Sequence, residues 1–456
     1  MNKRKNLCNL LIWIITIALV VPNMITNRLF FRDMLWTELA YIVSAMLFFL
    51  IPNQSFKLPC SIIRLTGFIR YVIYPVSVYA EEASGLYFSE EVGQLMILEI
   101  LIVHFTIMAY YCGSVYRKTR KQIDQRMQQD TEIIPMQLGI TALIITCIGI
   151  VIILRNPTVI MNFFAFNLSD KITTGLSGGS SIVLQITFLF AFIYLLTLIR
   201  KIAWMPEKIK LFISFILTAL YANGRGITTE NVSRWTIIVS MIVGIVFILS
   251  LYPERTKMIV AVSILFISGA LIFSTLLKQE MWGTVSKGIG NVVQAKSLNG
   301  YFSGSLNLEK GIDMLQTTDI NRVETFISDL FANFPFLNHF VDVSKTTTTY
   351  FNYSFYGSSI ARDQICPMII QLKEYFGLIG YVVYGIIVFL ACHIYTLSKR
   401  VHNLIEKNIL VILAFYFSLV FCLNWSILFE VLWIQILPLI LVNYFTIRVN
   451  LRKGID

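Results

Sequence analysis

Charge is what this sequence has least of. Only 14% of its 456 residues are Asp, Glu, Lys or Arg, while 56% belong to the set Ala, Val, Ile, Leu, Met, Phe, Trp, Tyr and Cys. A soluble globular protein carries roughly 25% charge to keep its surface wetted, so that class is excluded. Histidine is scarcer still. The four residues are scattered and form no metal-binding pattern with cysteine, so neither a metal nor another cofactor is expected. Of seven cysteines only Cys366 falls in a substantial segment between apolar runs, which leaves no disulfide framework to build. A small-residue cleavage site is also missing near Pro22 to Thr26, so the first apolar run reads as a retained helix rather than a signal peptide.

What the sequence does have is long apolar runs. Mean hydropathy is +0.71, and twelve stretches of spanning character can be delimited by charged or turn-forming residues. They cover roughly 7–24, 35–52, 61–79, 94–114, 137–154, 181–199, 209–222, 235–251, 258–277, 375–397, 409–426 and 429–447. The expected fold is therefore all-α: a polytopic integral membrane protein of about twelve transmembrane helices. The seventh span is short and is expected to break off at Asn223-Gly224-Arg225-Gly226.

The basic residues orient it. With a cytoplasmic N-terminus, 21 Lys and Arg fall on the inner side, 14 on the outer side and two, Arg64 and Arg70, inside span three. Positive charge favours the cytoplasmic side, so both termini are expected there. The net charge of +11 is an orientation signal, and nucleic acid is not needed to explain it.

The layout is asymmetric. Spans one to nine occupy 1–277, spans ten to twelve with a cytoplasmic tail occupy 375–456, and between them lies an external segment, 278–374. A segment of that length is folded and functional or it is disordered, and its composition favours folded. Asn321 and Glu324 have capping-box spacing, and Val323, Phe326, Ile327, Leu330, Phe331 and Phe334 recur at helical spacing. An amphipathic helix on the bilayer surface or packed over the spans is expected. Aromatics stand beside small polar residues at Leu298-Asn299-Gly300-Tyr301-Phe302-Ser303-Gly304 and around Tyr353 and Tyr356. Such rings can stack on sugars. An aromatic belt at the membrane interface is the alternative.

Four arginines draw attention. Arg70 lies midway along span three, where an Arg costs about 2.5–3.5 kcal/mol and must face protein, water or an anion. An ion pair with Glu99 is the structural alternative. Arg225 stands between two glycines, Arg234 opens span eight, and Arg362 precedes Asp363 just before the chain re-enters the membrane. A guanidinium is matched to phosphate oxygens. His339 is a candidate base, although a lone His is commonly structural.

With one large late outer loop, with Asn223-Gly224-Arg225-Gly226, with Tyr301-Phe302-Ser303-Gly304, and with Ala361-Arg362-Asp363-Gln364 running through Pro367 to Tyr375-Phe376-Gly377-Leu378-Ile379-Gly380, the chain resembles the Wzy-type bacterial surface-polysaccharide polymerases of O-antigen, capsule and exopolysaccharide assembly. The resemblance covers nearly the whole chain in layout. Some members carry outer-loop motifs of Arg, ten residues, Gly and Arg, fifteen residues, Gly; here Arg234 to Gly244 encloses nine and Arg362 to Gly377 fourteen. The resemblance implies a GT-C-like membrane glycosyltransferase acting on undecaprenyl-diphosphate-linked oligosaccharide at the outer face of the cytoplasmic membrane. It implies no cofactor, membrane lipid as surroundings, and a chain-length regulator and flippase of the same pathway as partners. Diphosphate departure would draw on Arg225, Arg362, Arg234 or Arg70, hydroxyl deprotonation on Asp363 or His339, and sugar stacking on Tyr301, Tyr353 and Tyr356. A lipid-linked oligosaccharide flippase and an O-antigen-ligase-type transferase are the competing readings.

Overall fold

The computed structural model describes residues 32–46, 57–81, 89–121, 140–159, 178–227, 234–263, 265, 269, 295–318, 320–332, 334, 337–357, 364–401, 404–437 and 439–440. Every regular element among them is helical. A lipid environment imposes this on apolar runs, because a helix satisfies its own backbone hydrogen bonds. The expected first span, 7–24, lies outside the described residues.

The chain divides into two compact units. The first comprises Met1–Thr131, Asn291–Arg400 and Leu413–Val431. Its described helices are α1 (Arg32–Met46), α2 (Lys57–Phe68), a π-helical turn (Ile69–Ile73), α3 (Tyr74–Ala80) and α4 (Glu90–Lys121). The second comprises Glu132–Gly290, Val401–Ile412 and Leu432–Asp456. It holds α5 (Ile140–Arg155), α6 (Gly178–Lys201), α7 (Glu207–Ile227) and α8 (Arg234–Leu251).

Residues expected as one external segment form a run of short helices within the first unit: α9 (Ala295–Phe302), α10 (Ser305–Thr317), α11 (Arg322–Phe331), α12 (Thr347–Tyr356) and α13 (Met368–Phe376). Local chemistry explains their ends. The Asn321 side chain accepts from the Glu324 amide, opening α11 as its spacing predicts. The Thr346 side chain accepts from the Thr349 amide to open α12, and Gly357 closes that helix at φ +67°. Leu298 to Phe302 is helix, not turn, and the turn comes after it at Ser303, φ +48°.

Three long helices follow. α14 (Ile379–Ser398) is separated from α13 by Gly377, whose φ of +60° ends the shorter helix. Span ten, expected from 375, thus begins four residues later. A Cβ on Gly380 would lie 2.2 Å from the Leu372 carbonyl oxygen, so only glycine permits the two helices to meet this closely. α15 (Leu404–Ser418) ends early, and α16 (Trp425–Glu430) runs on into a π-helical turn (Val431–Ile436). The break between expected spans eleven and twelve falls at 419–424 rather than at 427–428. α7 corrects another boundary, because it continues through Asn223-Gly224-Arg225-Gly226 to Ile227.

Three helices among the described residues are long and apolar enough to cross a membrane: Glu90–Ser114, Val183–Lys201 and Ile379–Ser398. Apolar stretches in Ile144–Arg155 and Ser240–Leu251 are shorter. In the first unit α4 packs on α1 and α14, α11 packs on α13 and α16, and α9 packs on α3 and the π-helical turn beside it. In the second unit α7 packs on α8, and α6 on α5 and α7.

Candidate functional site

The richest polar chemistry in the first unit gathers around the interruption at 419–424. Asn424 sits in an apolar run and restarts the helix, its side chain accepting from the Ile427 amide at 2.9 Å. An interruption of this kind strands backbone groups that nearby side chains must satisfy. The Phe421 carbonyl accepts from Arg70 Nη1 at 3.2 Å, and the Trp425 amide donates to Gln371 Oε1 at 2.7 Å.

Arg70 reaches the break from the π-helical turn, a widened turn of a kind frequent at functional sites. Its Nη2 pairs with Glu99 Oε2 at 2.7 Å, and both side chains are enclosed. Tyr71 donates to the same carboxylate at 2.7 Å and Tyr384 donates to its other oxygen at 2.8 Å. Buried charges persist only when paired and hydrogen-bonded in this way. The guanidinium also lies between the rings of Tyr71 and Phe421, 5.4 and 5.6 Å from their centroids. Arg70 is therefore committed to Glu99 and to the break. Of the two readings of its sequence position, the structure has the ion pair, and the diphosphate role is withdrawn because the guanidinium is enclosed.

A second cluster grips the other side of the interruption. Asp329 of α11 is buried and accepts from Tyr375 Oη at 2.5 Å, the Thr347 amide at 3.0 Å and Gln371 Nε2 at 3.4 Å, all through Oδ2. Its Oδ1 accepts from Ser426 at 2.9 Å. Glu374 lies beside it. Its Oε2 accepts from the Thr347 hydroxyl at 2.9 Å, while Oε1 has no hydrogen-bond partner among the described residues. Burial pushes the Glu374 carboxyl up to about 8, the Thr347 hydrogen bond opposing this and the neighbouring Asp329 charge adding to it. A carboxylic acid kept neutral at pH 7 can hold and deliver a proton. The same enclosure pushes the Cys366 thiol up, so it is not a reactive thiolate.

Tyr74 anchors the short helices to α3. Its hydroxyl lies 2.7 Å from Ser305 Oγ, and Asn299 Oδ1 accepts from the Leu306 amide at 3.1 Å while its Nδ2 donates to Asn307 at 2.7 Å. A Cβ on Gly304 would meet the Tyr74 ring and Asn299 Oδ1 at 2.7 Å. That approach explains why glycine stands there.

The predicted site residues are distributed as follows. Tyr353 and Tyr356 share one side of α12, 59% and 42% exposed, and the Tyr356 hydroxyl accepts from Gln364 Nε2 at 2.8 Å. Tyr301 is half-buried on α9. His339 is exposed on a short 3-10 turn, Leu337–Phe340, away from any ion pair among the described residues. Arg225 and Arg234 lie in the backbone of α7 and at the start of α8, both in the second unit, and their side chains are outside what is described. Arg362 and Asp363 lie outside the described residues. The structure thus brings Tyr353 and Tyr356 together and turns Arg70 inward.

Sequence reasoning missed Gln371, Tyr384 and Ser426, and left Asp329 and Glu374 as two acids among many. A usable signal existed: Gln371 interrupts Met368-Ile369-Ile370, and Asn424 and Ser426 interrupt the apolar run ending in Phe429. Among the described residues no group of three or more His, Cys, Asp or Glu could hold a metal ion. No family model, no curated protein and no solved structure matches the chain.

Proposed function

We propose that this chain is a multi-pass glycosyltransferase of the bacterial cytoplasmic membrane. It would polymerise undecaprenyl-diphosphate-linked oligosaccharide repeat units at the outer face. In this reading it has about twelve spans, both termini are cytoplasmic, and 278–374 is external. The observation that carries the reading is the helical folding of described residues 295–376, next to a helix of spanning length and with Tyr353 and Tyr356 on one exposed side. An ordered segment bearing exposed rings suits a sugar-binding face.

The acceptor's non-reducing-end hydroxyl attacks the anomeric carbon of the growing glycan. The bond from that carbon to the diphosphate oxygen breaks, and undecaprenyl diphosphate leaves with its electron pair. Arg225, Arg362 and Arg234 are the cations assigned to the departing charge, since preorganised guanidinium groups can stabilise it without a metal. Asp363 or His339 takes the hydroxyl proton. The Arg70 and Asp329 clusters hold the interrupted helix and touch no substrate in this scheme.

The test is reconstitution with a defined lipid-linked repeat unit. A ladder of products is expected from the unmodified protein, and Arg225→Ala and Arg362→Ala are expected to leave an inserted protein that gives no ladder. Normal ladders from both variants would remove these assignments. Absence of any ladder from the unmodified protein, under conditions where it is folded, would remove the polymerase reading. In a deletion strain, single repeats displayed outside agree with a missing polymerase, repeats trapped inside indicate a flippase, and free lipid-linked long chains indicate a ligase.

A further inference from the structure

Helix α11 packs its polar side inward and leaves apolar side chains out. Thr325, Ser328 and Asp329 are buried, whereas Val323 and Ile327, one turn apart, are 68% and 45% exposed. Single exposed hydrophobic residues are ordinary. What sets these two apart is their surroundings. Between them in sequence, Phe326 turns to the protein, with its ring 5.6 Å from Phe376 at the end of α13. Arg322 stands at the next residue, for a Cβ on Gly377 would be 3.4 Å from its Nη1. The ridge therefore borders the turn from which α14 departs. There α14 exposes Leu378, Ile379 and Val382, at 78%, 66% and 62%, and then Ile386 and Phe389 one and two turns on.

We propose that the Val323–Ile327 ridge is a lipid-docking surface, lying in the bilayer at the headgroup and acyl boundary and continuing the lipid-facing stripe of α14. The occupant is membrane lipid because the neighbouring stripe belongs to a helix of membrane-crossing length, whose exposed apolar side meets acyl chains. The polar groups of α11 permit this placement. Asp329 is satisfied inward by four hydrogen bonds, so no unpaired charge enters lipid. Arg322 is exposed and has no ion-pair partner among the described residues. Its long stem lets the guanidinium reach the phosphate level while the ridge stays deeper. The inference rests on α14 crossing the membrane and is independent of glycan transfer.

The experiment uses the full chain in vesicles of phosphatidylethanolamine and phosphatidylglycerol with radiolabelled acyl chains. The photoreactive residue p-benzoylphenylalanine replaces Val323, Ile327 or Val382, one at a time, and lipid adducts are counted after irradiation. Labelling at 323 and 327 comparable to that at 382 is the expected result. Labelling at 382 with loss to the dark background at both 323 and 327 overturns the proposal and leaves α14 as a span. Loss at 382 as well removes the span reading and the proposal with it. Ile386, also exposed, takes the place of Val382 should that variant fail to fold.

Discussion

In the second unit, helices approach one another through missing side chains. A Cβ on Gly149 of α5 would fall 2.0 Å from Thr187 Oγ1 of α6, and one on Gly244 of α8 would fall 2.5 Å from Thr218 Cγ2 of α7. Both threonine hydroxyls turn back to their own helices, bonding the Val183 and Ser214 carbonyls at 2.8 and 2.9 Å. In the first unit the same task falls to buried polar groups: Arg70 with Glu99, Tyr71 and Tyr384, and Asp329 with Tyr375, Gln371, Ser426 and Thr347. The difference follows from backbone continuity. α5 to α8 satisfy their backbones internally, so close dispersion contact suffices, and small residues supply it. The first unit contains a π-helical turn and the interruption at 419–424, and side chains must answer the backbone groups these expose. Glycine packing tolerates no added volume, while polar packing tolerates no unpaired charge.

The sharpest way to break this contrast is Glu99→Ala, which leaves Arg70 buried without its carboxylate. A loss of about 3–5 kcal/mol is expected, read as a large drop in the thermal midpoint of the detergent-solubilised protein. Replacing Arg70 and Glu99 together by methionine should recover most of it, and an undiminished midpoint in Glu99→Ala would refute the ion pair's role. Next in size, Gly244→Ala should cost about 1–3 kcal/mol through overpacking. Adding Thr218→Ala should restore the midpoint, because the offending methyl is gone. No such rescue is expected between sites in different units.

The third effect is one of pH and belongs to the first unit alone. Glu374 titrates at about 8 when folded, above its ordinary 4.5. The folded state therefore holds more protons than the unfolded state between those values, and stability falls as pH rises from about 4.5 to about 8 and levels off beyond. Glu374→Gln should flatten that slope in a series of thermal midpoints, and a slope unchanged in the variant would exclude Glu374 as its source. The smallest effects are expected where the units agree. Lys345 pairs with Glu324 in the first, and Arg200 pairs with Glu207 at 2.8 Å in the second, all four side chains being 35–42% exposed. Removing either pair should change stability by about 0–1 kcal/mol; a larger loss at one pair would mean that surface charge also distinguishes the units.

Much of the fold could be read from residue patterns. The run 94–114 lies inside α4, 181–199 inside α6, and Asn321 with Glu324 marks the start of α11. The expected face of α11 was only half legible. Val323 and Ile327 are apolar by periodicity, yet the side that packs carries Ser328 and Asp329, because α12, α13 and α16 present donors to it. Of the site, Arg70 and its partner Glu99 could be named from their improbable depth in an apolar run. Gln371 and Ser426 could not be matched, since 54 positions separate the side chain of Gln371 from the amide of Trp425 that it accepts from, and nothing local announces that contact.

By itself, then, the sequence determined a helical protein with helices of membrane-crossing length, because scarce charge and long apolar runs leave the backbone no partner but itself. It also determined helix starts such as Asn321 and Thr346, whose caps act within three residues. Only the tertiary structure decided that Arg70 faces Glu99 and the Phe421 carbonyl, that Asp329 is shared among α11, α12, α13 and α16, and that Glu374 is held neutral. Those outcomes depend on which groups lose their water together, and desolvation is a property of the assembled neighbourhood rather than of any one stretch of chain.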